Sequence, residues 1–197
     1  RDIKRYGYNW ADLWLIATFP SRHYDIEMYP AVKAHLLSFG KERLEQTGKK
    51  YIINGEEIKA RKKTSNKWFE TQDSISYWDD FFKPKIVYPN MTKYLPFVYD
   101  DKKHLTNQKC FIITGENVAF LTVFFNSSLF KFCFRDSFPE LPGGTRELSK
   151  IFFDKIPVIQ VDSPTNELFE ERLLDIQKEY TKSKAIVIDS MIFDLYN

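Results

Sequence analysis

Between Lys59 and Lys67 the chain sets five cations, Lys59, Arg61, Lys62, Lys63 and Lys67, with no acid among them. Asn66, Gln72 and Tyr77 follow closely, with Trp68 and Phe69 interleaved. Lysine and arginine neutralise phosphates and release their counterions, so such a run binds a polyanion in a salt-dependent way. Asn, Gln, Lys and Arg also match the donors and acceptors that base edges present in the major groove, and aromatic side chains among them can stack or wedge. Lys62, Lys63, Asn66, Lys67, Gln72 and Tyr77 are therefore candidate DNA contacts, with a solvated loop as the alternative. Trp68 and Phe69 are assigned to plugging the core. A second set comprises Arg135, Thr145, Arg146 and Lys150. It lies beside Gly143 and Gly144, which let backbone approach a phosphate closely; the alternative is an ordinary loop with Arg146 paired to Glu140 or Glu147. Lys93 with Tyr94, just after Pro89-Asn90, is a third.

Catalytic constellations are sparse. The one glycine pair, Gly143-Gly144, is not framed by a strand and a helix as a dinucleotide or S-adenosylmethionine site requires, and the sequence contains no P-loop. No Pro-Pro occurs, so the amino-methyltransferase signature is missing. His23, His35 and His104 are scattered rather than clustered as zinc ligands would be. Glu57-Ile58-Lys59 has the Glu-x-Lys spacing of metal-dependent nucleases, but no Pro-Asp precedes it, and a solvated turn after Asn54-Gly55 is the preferred reading. The expectation is a chain with no catalytic, cofactor or metal site of its own.

Elements must position these side chains. Residues 13–19 read as a buried strand closed by Pro20. Pro30 opens a helix, where its missing N–H costs nothing. Val32, Leu36, Leu37 and Leu44 give that helix an apolar face, and Gly48 ends it. Residues 49–76 form a long polar insertion with a hairpin turn at Asn54-Gly55. Residues 85–88, 95–99 and 110–114 read as strands. Thr114-Gly115-Glu116 caps a helix whose face runs Val118, Leu121, Phe125, Leu129 and Phe132. Residues 136–149 are irregular, and residues 151–161 read as an edge strand split by Pro157. Ser163-Pro164 starts a long helix. Its narrow stripe, Phe169, Leu173, Ile176 and Tyr180, continues through Ile188, Met191, Ile192 and Leu195 after a break near residues 182–184, which suits packing on another helix.

The resulting fold class is α+β: a mixed, largely antiparallel twisted sheet with packed helices and a C-terminal helical extension. Residues 1–161 are expected to form one domain, with residues 162–197 packing on it or on a part of the protein beyond this chain. The 197 residues suffice for a real core. The net charge of +2 does not by itself predict polyanion binding. No apolar run reaches the ~20 residues of a membrane span, and nothing at the start resembles a signal peptide. A chain opening on Arg1 rather than Met is read as a piece of a longer protein. Cys110 and Cys133 are expected as buried thiols in a reducing cytoplasm.

Several segments carry a family likeness: Arg1-Asp2-Ile3-Lys4-Arg5-Tyr6; Tyr29-Pro30-Ala31-Val32-Lys33 with Leu36-Leu37; Lys67-Trp68-Phe69-Glu70; and Lys83-Pro84-Lys85-Ile86-Val87-Tyr88-Pro89. They continue with Ile112-Ile113-Thr114-Gly115-Glu116-Asn117, Phe125-Asn126-Ser127-Ser128-Leu129, Lys155-Ile156-Pro157-Val158 and a tail from Ile188 to Tyr196. Taken in order, they resemble the TaqI-like C-terminal specificity domain of DNA adenine methyltransferases and of fused type II restriction–modification enzymes. The resemblance implies a target-recognition domain for double-stranded DNA. It also implies a methyltransferase domain in the same parent chain, supplying S-adenosylmethionine, and magnesium where the parent also cuts. Base-reading residues differ with the target in this family, so none is carried over by position. The matched motifs read as structural: residues 85–89 as a core strand, Asn126-Ser127 as a helix break or cap. A protein-interaction module built on the Phe169-to-Leu195 stripe and a small metal-dependent nuclease around Glu57 are the competing readings.

Overall fold

The computed structural model describes residues 2–197; Arg1, which opens the first motif, lies outside them. The chain divides into two compact units: the residues up to Leu13 together with Trp78–Asn197, and the intervening Trp14–Tyr77.

The chain begins with a hairpin of β1 (Ile3–Lys4) and β2 (Gly7–Tyr8). Its turn holds Tyr6 at φ 62°, an uncommon conformation for a bulky residue. The ring is buried in the core and the Tyr6 N–H reaches the Phe97 carbonyl at 3.3 Å. Residues 13–19 form no strand. Leu13 is 77% and Trp14 85% exposed. Only its end is buried: the Thr18 hydroxyl donates to the Phe69 carbonyl (2.7 Å) and the Thr18 carbonyl accepts from Thr71 N–H (2.9 Å).

In the unit of residues 14–77, α1 (Pro30–Leu37) starts at Pro30 as expected but stops well before Gly48. Gly40, at φ 89°, turns the chain into a separate short α2 (Lys41–Leu44). The α1 face is weak; Val32 and Leu36 are half-buried and Leu37 is exposed. β3 (Lys50–Ile53) and β4 (Glu56–Lys59) form the expected hairpin. Asn54 and Gly55 both have positive φ, 52° and 83°, the turn whose twist matches its strands.

The other unit contains β5 (Lys85–Pro89), β6 (Met91–Thr92), β7 (Val98–Asp100) and β8 (Cys110–Ile113). Then come α3 (Val118–Asn126), α4 (Ser128–Phe134), β9 (Glu140–Leu141), β10 (Thr145–Glu147) and α5 (Lys150–Phe153). α6 (Ser163–Lys178) and α7 (Lys182–Tyr196) close the chain. One antiparallel sheet runs β7-β5-β8 and a second β6-β10-β9. The α+β class stands, with several small antiparallel sheets instead of one large one.

The core of this unit is aromatic. Phe97, Phe120, Phe124, Phe130, Phe138 and Phe169 are nearly solvent-free. α3 is buried almost all round, and its N-cap is Asn117 rather than the preceding Thr. The expected single face to Phe132 is cut at Asn126-Ser127, so Phe132 ends up 92% exposed. Asn126 is a clamp: its amide donates to the carbonyls of Phe97 (2.7 Å) and Thr122 (3.0 Å), and its side-chain oxygen accepts the Phe97 N–H (3.2 Å). Ser127 caps α4, accepting the Phe130 N–H at 3.0 Å.

Residues 151–161 are not a strand. α5 takes the first of them; beyond Pro157, Val158 and Ile159 pack on the core without joining a ladder. Asp162 caps α6, accepting the Thr165 N–H at 3.0 Å, with Pro164 in its first turn. The stripe is satisfied within its own unit: Phe169, Leu173, Ile176, Ile188 and Ile192 are buried, and Phe169 packs on Phe120 of α3 at 5.4 Å. Tyr180 and Leu195 are exposed. The thiols are also less buried than expected: Cys110 is half-buried and Cys133 exposed. Among the described residues no single helix is long and apolar enough to cross a membrane.

Candidate nucleic-acid interface

The polar insertion is built around Gln46 and Arg61, both of which work inward. The Gln46 amide donates to the carbonyls of Lys67 (3.0 Å) and Glu70 (2.8 Å), and its oxygen accepts the Thr64 hydroxyl (2.7 Å). The Arg61 guanidinium donates to the carbonyls of Leu44 (2.7 Å), Glu70 (2.9 Å) and Trp68. Burial pulls its pKa below the ordinary arginine value, and the charge of Glu45 partly offsets that. Three carbonyls around one guanidinium fix the loop from within. Arg61, part of the sequence cluster, is thus spent on structure.

Asn66 is spent likewise. Its amide donates to the carbonyls of Thr71 (3.0 Å) and Gln72 (2.9 Å). Gln72 is half-buried, with an enclosed amide nitrogen that finds no partner. Phe69 plugs the core, and Trp68 meets it edge-on at 5.7 Å. Lys67 donates its backbone N–H to the Glu70 carboxylate (2.7 Å), while its ammonium stands 5.6 Å from the Phe69 ring centre. Lys62, Lys63, Lys67 and Tyr77 are exposed.

What the fold leaves outside is cationic. Residues 14–77 hold eleven Lys and Arg against eight Asp and Glu. Among the described residues their ion pairs are Lys33–Glu27 (2.6 Å) and Lys50–Glu57 (2.8 Å). Lys41, Arg43, Lys49, Lys59, Lys62, Lys63 and Lys67 are exposed and have no carboxylate within ion-pair distance. Lys41, Arg43 and Lys49 were missed in the sequence because each sits next to an acid or outside the cluster, although the fold keeps them exposed. Glu57 is exposed and held by Lys50. Among the described residues no group of three His, Cys, Asp or Glu could hold a metal ion.

Of the second and third sequence sets, Thr145 and Arg146 lie in the small sheet β6-β10-β9 and Lys93 and Tyr94 directly follow β6. Arg146 lies opposite Thr92 on one side and Glu140 on the other, which brings Lys93 and Tyr94 next to Thr145 and Arg146. Lys93 and Tyr94 are exposed, and the Tyr94 N–H donates to the Thr92 hydroxyl (3.1 Å). Gly143 and Gly144, at φ 81° and 73°, make the β9–β10 turn. The Thr145 hydroxyl is only 3.4 Å from the Pro142 carbonyl. Arg146 is buried. It donates to the Phe138 carbonyl (2.9 Å), Asp136 (2.9 Å) and Glu140 (2.8 Å). Arg146 therefore positions this sheet instead of reaching outward, and of its two expected partners Glu140 is the one it takes. Arg135 is exposed; Lys150 is exposed but paired with Asp154 at 2.6 Å.

The motifs shared with a known family fall on these same scaffolding positions: the Tyr6 turn, α1, the Lys67–Glu70 bond, β5 and the Asn126-Ser127 break. A family model, the TaqI-like C-terminal specificity domain, matches residues 1–158. With most of its length matched in this way, the chain belongs to the TaqI-like C-terminal specificity domain family.

Proposed function

We propose that this chain reads a double-stranded DNA sequence for a restriction–modification enzyme. On this reading the parent is a site-specific adenine-N6 DNA methyltransferase, with or without endonuclease activity. A methyltransferase domain of the same parent chain supplies S-adenosylmethionine and the reacting centre, and residues of this chain supply grip and sequence choice. Base chemistry on a duplex requires the target nucleotide to be taken out of the stack, and contacts to the flanking duplex fix the register at which that happens.

The observation that carries the reading is the division of labour in residues 41–72. Arg61, Gln46 and Asn66 are used to hold the loop, while the ammonium groups of Lys59, Lys62, Lys63 and Lys67 stand exposed with no carboxylate within ion-pair distance. Such cations suit phosphates, which position a protein on duplex without specifying sequence. Lys93, Tyr94, Arg135 and Thr145 are assigned as further contacts on the other unit. Lys62→Gln, Lys63→Gln and Lys67→Gln should each weaken binding to all duplexes alike and flatten the slope of log K against log salt by about one. Titrations at several salt concentrations test this; an unchanged slope in all three variants contradicts it.

A further inference from the structure

The β3–β4 hairpin has two different faces. Its register pairs Lys50 with Lys59, Tyr51 with Ile58, Ile52 with Glu57 and Ile53 with Glu56. Tyr51, Ile53 and Ile58 are half-buried toward their own unit, and the Tyr51 and Thr47 hydroxyls share a hydrogen bond of 3.1 Å. Lys50, Ile52, Glu57 and Lys59 make up the opposite face, and all four are exposed.

That outer face is poorly suited to water alone. Lys50 and Lys59 are directly opposite each other, a like-charge pairing that destabilises a ribbon. Glu57 relieves Lys50, and Lys59 has no acid within ion-pair distance. Ile52, directly opposite Glu57 on the same face, is 82% exposed. The base of the ribbon is rigid: the Ala60 N–H bonds to the Lys49 carbonyl, the Gly48 N–H to the Arg61 carbonyl and the Arg61 N–H to the Glu45 carbonyl, each at 2.9 Å. At that base Lys49, Lys62 and Lys63 are exposed. The element is thus a narrow ribbon with Ile52 beside the Lys50-paired Glu57 on its outer face, an exposed Glu56 next to its turn and a basic root.

We infer that the β3–β4 ribbon enters the major groove of the target duplex, with Ile52 against a base edge and Lys49, Lys59, Lys62 and Lys63 on the phosphates at the groove rim. This rests on the DNA-reading function proposed above and assigns the reading element. A two-stranded ribbon fits a groove about 12 Å wide. Four-residue strands extend about 13 Å, longer than the groove's depth of about 8.5 Å. An isoleucine there has one base partner of matching chemistry, the C5 methyl group of thymine.

The test uses Ile52→Ala, a change on an exposed side chain that should leave thermal unfolding unaltered. The protein is first used to select its preferred duplex from a random pool. Uracil, which lacks the methyl group, then replaces thymine one position at a time. At one position uracil should lower the parent's affinity roughly fourfold, the effect of one buried methyl. Ile52→Ala should bind the thymine and uracil duplexes equally at that position. If uracil has no effect on the parent at any position, or Ile52→Ala keeps the parent's discrimination, the ribbon's role is overturned while target recognition stands. A parent that enriches no sequence overturns the reading on which the inference rests.

Discussion

Asp100 is the most heavily used carboxylate in the molecule. One of its oxygens is 2.6 Å from the buried Lys85 ammonium and the other 2.9 Å from His104 Nδ1, and the backbone N–H groups of Lys102 and His104 also donate to it. Burial pushes its pKa up, but the hydrogen bonds from Lys85 and His104 and the charge of Lys85 outweigh that, and the pKa lies below the ordinary value. Its contribution to stability is therefore complete above the unfolded pKa, about 3.9. It is lost as pH falls below about 4 through the lower folded value. Asp100→Ala strands Lys85 in the core and should cost about 3–5 kcal/mol. Urea unfolding would show it. Arg146 makes a second residue-scale case. Arg146→Ala leaves the Phe138 carbonyl unpaired and should cost about 1–3 kcal/mol of stability, whereas Arg135→Ala should leave stability unchanged and weaken DNA binding. Sequence chemistry could mark both arginines as DNA candidates but could not tell them apart. The distinction depends on Asp136 and Glu140 meeting Arg146 across a turn, a tertiary fact. Lys85 was equally illegible, because its partner comes from the register of β5 with β7.

At the scale of elements, local chemistry was readable and partner choice was not. The Asn54-Gly55 hairpin, the helix start at Pro30, strands β5 and β8 and the break at Asn126-Ser127 each follow from residues within a few positions. Residues 13–19 and 151–161 both look apolar enough for strands, yet neither is one: apolar composition alone does not tell a strand from other buried backbone. The stripe on α6 and α7 was correct in its spacing, and its partner is α3 of the same unit. The candidate interface shows the same limit. Its cations were legible, but Asn66 and Arg61 could be recognised as scaffold only once the carbonyls around them were in place. Arg61→Ala removes the donor to three carbonyls and should loosen the ribbon's root. Faster amide exchange in residues 59–72, together with weaker DNA binding, would register it; exchange unchanged from the parent would show that the loop holds without Arg61, through Gln46 and Asn66.

For the whole molecule, the net charge of +2 hides a division. Residues 14–77 carry a surplus of three positive charges, and the remainder carries one more acid than base. Polyanion binding is therefore expected to lie in the smaller unit, and overall composition could not reveal it. On the proposed reading, Lys93, Tyr94 and Thr145 on the larger unit would add uncharged and singly charged contacts, which suit the choice of sequence more than the strength of grip. The central claim is that this chain reads duplex DNA. The most direct measurement is selection from a random duplex pool, at low and then moderate salt, followed by sequencing of what is retained. The account predicts an enriched motif that persists as salt rises, with affinity falling along the salt slope. Duplexes retained without any enriched motif, or no duplex retained even at low salt, would contradict it.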